Sequence, residues 1–176
     1  MGAITLQDVE RRVAELAARI NASGHLLPTF GYSEDLARPH IEVDRRGVHY
    51  VVVERGTELK RVTSLNIDEI LWHVFEVVTF SLASDYELAR RQDRKDCRRM
   101  IFARQLELLN TLTSEWAQRQ AEHHRAILQE HPFDDYSSPR VALTVQLRNA
   151  GCSDDEAWRQ ACERYPLPSR GRRPDA

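Results

Sequence analysis

The sequence predicts an α+β protein, predominantly α-helical, in which a small three-stranded antiparallel meander at about residues 40–64 packs with a helical bundle. Three observations predict it. Strand-like alternation is confined between His40 and Ser64, helical periodicity runs on both sides of it, and glycine or proline stands at most changes of pattern. The 176 residues are 41% hydrophobic and 30% charged, enough to bury a core and too apolar for a disordered chain. No repeat or linker divides the chain, so the expectation is one domain over 1–176. Residues 1–65 supply a helix and the meander, 66–165 the helical part, and 166–176 a flexible tail.

Thr5 reads as an N-cap, after which Leu6, Val9, Val13, Leu16 and Ile20 recur at helical spacing until near Gly24. Residues 24–39, with Gly24, Pro28, Gly31 and Pro39, read as a loop. In the meander, His40–Asp44 turns through Arg45-Arg46-Gly47 into Val48–Arg55. Gly56 then turns the chain into Leu59–Ser64. The run Val51-Val52-Val53 marks the middle strand as central, and the polar last strand reads as an edge.

Asn66 with Glu69 is a capping-box pattern opening a helix whose apolar positions, Ile67 to Leu82, cover more than half its circumference. Such a helix is expected at the centre of the fold, with a break allowed at Ser84-Asp85. Residues 90–99 hold six cations and two carboxylates, with Asp93 and Asp96 spaced to pair along a helix. Met100, Ile101, Leu106, Leu108 and Leu109 resume a helical stripe. Thr113 caps the next helix, which Pro132 stops. Ser138 before Pro139, and Ser153 before Glu156, open a final pair of helices separated by Gly151. The tail from Pro166, with Arg170, Arg172 and Arg173, is expected to fray. Trp72, Phe75, Val78 and Leu106 are the predicted core.

The net charge of -2 gives no overall drive toward nucleic acid or an anionic membrane. Thr5 to Ile20 is charged and periodic, unlike a signal peptide, and Ile70 to Leu82 is interrupted by His73 and Glu76, unlike a membrane span. Cys97, Cys152 and Cys162 are an odd count, best read as free thiols. A cytoplasmic location is expected.

No catalytic motif stands out. No serine lies in a Gly-x-Ser-x-Gly elbow, and the scattered glycines form no phosphate-cradling loop. Cys97, among arginines, reads as a half-buried helix cysteine in place of an activated nucleophile. Glu69, His73 and Glu76 form one polar line on their helix. With His124 and His131 they define the alternative reading, a small metal-binding or enzymatic protein. They lack the paired Glu-x-x-His of di-metal bundles, and a solvent-facing stripe is the preferred account. No catalytic residue, cofactor or metal is therefore assigned.

What remains suits recognition. Asp85, Tyr86, Glu87, Arg90, Arg91, Asp93 and Arg94 combine tyrosine, arginine and carboxylates where the apolar helix gives out. The acidic turn Asp134-Asp135 is the second candidate surface. The competing account is that Tyr86 packs inward and these charges pair with one another.

The words LWHVFEVVTFSLASDYELARR, DCRRMIFARQLELLNTLTSEWAQR and ILQEHPFDD, and further on GCSDDEAWRQACERYPLP, resemble immunity protein family 63 of bacterial polymorphic toxin systems. The resemblance rests on the ordered run of Trp72, Phe75, Glu76, Phe80, Tyr86, Glu87, Leu88, Asp96, Arg98, Arg99, Phe102, Gln105, Leu106, Leu109 and Trp116. It implies a protein that binds and neutralises the C-terminal domain of a cognate toxin, without enzymatic activity. The partners expected are that toxin domain and, in a homodimer, a second copy of the chain, with neither nucleic acid nor membrane.

Overall fold

The computed structural model describes residues 4–169. Helix α1 spans Leu6–Arg19, and Thr5 caps it in a reciprocal box with Asp8. It ends before Gly24 because Asn21 turns left-handed, at φ 52°, and a single 3-10 turn follows at Gly24–Leu26. The apolar stripe of α1, Val9, Val13 and Leu16, is buried as its spacing requires.

The sheet is larger than the predicted meander and is mixed. Strands β1 (Thr29–Phe30), β2 (Leu36–Asp44), β3 (Gly47–Glu54) and β4 (Thr57–Ser64) lie in the order β1-β2-β3-β4. β2–β3–β4 is the expected antiparallel meander, with β3 central and polar β4 at the edge. The correction is β1, which pairs parallel to β2 from within the expected loop. Two residues carry no periodicity, and the early part of β2 hides behind Pro39, a register shift and Ala37 at φ 59°.

Helix α2, Ile67–Leu88, is unbroken. Ser84 turns its hydroxyl onto the Phe80 carbonyl and leaves the backbone ladder intact. The capping box forms only by half. Asn66 accepts from the Asp68 N–H, but the Glu69 carboxylate is taken by Arg119 at 2.9 Å through both oxygens. Along the first turns α2 lies on the sheet, with the His73 ring 5.8 Å from Tyr50. The same face continues at helical spacing beyond it, and there Val77, Phe80 and Leu88 are 43%, 47% and 61% exposed.

Helices α3 (Arg98–Leu112) and α4 (Ser114–Glu130) pack beside α2, and α5 (Ser137–Asn149) and α6 (Asp154–Arg164) form a hairpin. More than half of the described residues are helical. The charged run of 89–97 is a loop, and Cys97 is exposed at the start of α3, not half-buried within a helix. α5 begins at Ser137, two residues before the expected first helical residue Pro139, with no side-chain cap. All three cysteines are free. Of the tail, Arg170, Arg172 and Arg173 lie outside the described residues.

Two clusters of apolar side chains result. The larger joins α1, the sheet, α2, the C-terminal half of α3 and the start of α4, with Trp72, Phe75 and Val78 buried as predicted. Leu106 is a correction: it is only half-buried, and Gln105 beside it takes the inward position at 1% exposure. The smaller cluster holds Ala83, Ile101 and Phe102, with Ile127, Leu128 and Phe133 against them.

Candidate functional site

A groove of about 410 Å³ lies between the 89–97 loop and the turn before α5. Its walls bring Glu87, Arg91, Asp93 and Arg94 together with Asp134 and Asp135, some 40 residues further on. Glu87 is 3% exposed and clamped by Arg91 through two bonds of 3.0 and 3.1 Å, which raise the Arg91 pKa.

Asp96 ties the two walls. It accepts from the Arg98 guanidinium, from the Arg98 N–H at 2.9 Å and from the Asp134 N–H at 2.8 Å. Burial pushes its pKa up, but these bonds prevail and hold it below the ordinary value. In return the Asp96 N–H donates to Asp135, which also accepts from Arg99 at 2.9 and 3.0 Å and has its pKa lowered mainly by that arginine. Asp134 is held by Arg140, itself 2% exposed. The acidic turn is thus half-buried and engaged within the chain.

The remaining predicted residues lie off the groove lining. Asp85 is exposed on α2, and half-buried Tyr86 sits with Arg90 at 4.1 Å and Arg104 at 5.1 Å from its ring. Arg90, Asp93 and Arg94 are exposed, and Arg94 has φ 61°. Sequence reasoning missed Arg140, a lone cation in an otherwise polar helix start whose role depends on a fold that brings Tyr165 beside it.

The Glu69, His73 and Glu76 line is regrouped by the structure. His73 lies 3.6 Å from Glu69 and 3.9 Å from Glu76, and the imidazole that joins them is His123, 3.8 Å from Glu76. His124 is turned the other way, buried with Gln105 and Gln120, and His131 lies at the end of α4. Among the described residues no three His, Cys, Asp or Glu side chains converge as metal ligands. None of their helices is long and apolar enough to cross a membrane.

Fold and site together define an α+β domain whose groove is assembled from internal ion pairs. The family model described as Immunity protein 63 matches residues 44–126, from the end of β2 through most of α4, so this stretch is similar to that family. The match agrees with the resemblance seen from α2 to α4, but it reaches back into β3 and β4 and does not extend to the α5–α6 hairpin. No curated protein and no solved structure matches.

Proposed function

We propose that this chain acts as an immunity protein, binding the C-terminal domain of a cognate toxin stoichiometrically in the cytoplasm and neutralising it through the rim of the groove. One observation carries the choice of surface: the fold brings Glu87 and residues 91–94 of one candidate recognition segment to the same concavity as Asp134 and Asp135 of the other. Within it Glu87, Asp96, Asp134 and Asp135 are each held by an arginine of the same chain. Those pairs fix the shape. The exposed groups on the loop, Arg90, Asp93 and Arg94, are left to meet a partner.

The test is Arg90→Glu with Arg94→Glu, measured against the C-terminal domain of the large secreted protein whose gene is expected beside this one. Affinity should fall more than about tenfold, or roughly 1.4 kcal/mol, with little change in melting temperature because both side chains face water. Unchanged affinity and undiminished protection of cells would place the contact elsewhere.

A further inference from the structure

A buried histidine lies against the smaller apolar cluster. α3 and α4 each span both clusters, whereas α5 and α6 contribute to neither. His124 stands at the joint. Its ring lies flat on Phe102, with centroids 3.8 Å apart and planes 6° apart, and it is 5% exposed. Phe102 in turn contacts Phe133, the residue that leads into the groove wall, at 6.2 Å.

The polar side of that ring is committed to the neutral form. Nε2 is 2.9 Å from Gln105 Oε1, and Gln105 donates to the Glu76 carbonyl of α2 at 3.0 Å. The neutral ring bonds in either tautomer: Nε2–H donates to Gln105, or bare Nε2 accepts from the Gln120 amide 3.0 Å away. Nδ1 is buried without a partner, so a second proton there would meet no acceptor and leave a desolvated charge.

The charged groups around it do not offset that cost. On α4, His123 is adjacent and opposes a second positive charge. On α2, the Glu76 carboxylate is turned to His73 and His123. On α3, Arg98 and Arg99 face Phe133 at 5.6 and 4.2 Å. In the turn beyond, Asp134 and Asp135 are held by arginines, and the His131 carbonyl accepts from Arg98.

We propose that His124 is an acid-sensitive latch: its protonation opens the smaller cluster and releases residues 127–165, groove wall included, while the sheet-side core stays folded. The sign follows from linkage. Burial, with a smaller contribution from His123, lowers the His124 pKa from 6.5 to about 4, whereas an opened, hydrated ring titrates near the ordinary value. Between those values opening takes up a proton, so acid favours it. The latch is fully closed above pH 6.5 and weakens progressively down to about 4. The inference concerns the chain alone and stands whether or not the groove meets a toxin.

Hydrogen exchange read by mass spectrometry at pH 7 and pH 5, corrected for intrinsic rates, decides it. Protection over 98–104 and 124–165 should fall roughly tenfold or more at pH 5, while 41–82 holds. His124→Gln should remove the pH dependence, and His124→Phe, which can keep the stack on Phe102, serves if the glutamine variant unfolds. An absent loss of protection, a loss spread evenly over the chain, or a loss that persists in a folded His124 variant overturns the proposal. Should neither variant fold, the wild-type exchange pattern alone still supports or overturns it.

Discussion

Replacing Phe75 with alanine should cost about 3–5 kcal/mol and lower the melting temperature by on the order of 10 °C. Phe75 is fully buried in the middle of α2, its ring stacked on Trp116 of α4 at 5.9 Å and 20°, with Trp72 edge-on to the same indole at 6.4 Å. Truncation removes the apolar contacts and also leaves a cavity, because helix, sheet and two indoles hold its walls apart. The internal control is Phe80, five residues on in the same helix but 47% exposed, where alanine should change stability by about 0.5 kcal/mol or less. Thermal unfolding of both variants tests the pair. A cost below about 1 kcal/mol at Phe75, or equal costs at the two positions, would contradict the assigned core.

That contrast between two phenylalanines shows what periodicity can and cannot tell. Helical spacing marks both as apolar positions of one helix, and it placed Trp72, Phe75 and Val78 correctly. It also suggested burial over more than half the circumference, since no local pattern says where a neighbouring sheet stops. Val77, Phe80 and Leu88 continue the face that rests on Tyr50, and they are exposed because α2 outruns the sheet. Capping chemistry was legible because it is local: Thr5, Asn66, Thr113 and Ser153 all accept a backbone N–H at the helix starts they mark. Strand β1 was not legible, being two residues long and stabilised by its partner strand. The site was legible as two fragments. Joining them depends on Asp96, which bonds Arg98 beside it and the backbone of Asp134 far away, and only the first of those bonds has a sequence spacing. A charge run with many arginines reads as a helix with internal pairing. The chain instead leaves the helix after Leu88, and Arg98 and Arg99 at the end of the run reach across to fasten the turn before α5.

Arg140 supplies the second large effect, and it should be felt in the hairpin more than in the main core. Its guanidinium is paired with Asp134, donates to the Tyr165 carbonyl at 2.9 Å and the Pro166 carbonyl at 3.0 Å, and lies 5.8 Å from the Trp158 ring. One planar fork thus ties the groove wall, the start of α5 and the end of α6. Severing a buried ion pair costs about 3–5 kcal/mol, because the abandoned partner stays desolvated. The lower end applies here, since the Asp134 side chain is still 20% exposed and can recover some hydration. The hairpin belongs to neither apolar cluster, so Arg140→Met should reduce exchange protection of α5 and α6 by about two orders of magnitude, the factor that corresponds to about 3 kcal/mol. α2 and the sheet should barely respond. Arg140→Lys should not restore protection, because a single ammonium cannot span a carboxylate and two carbonyls set in a fork. Protection of α5 and α6 unchanged in Arg140→Met, or fully restored by lysine, would show that the hairpin is held by packing and that the fork is incidental. If both variants lose the hairpin, the groove owes its second wall to one arginine outside the family-matched segment, and toxin binding should weaken alongside it.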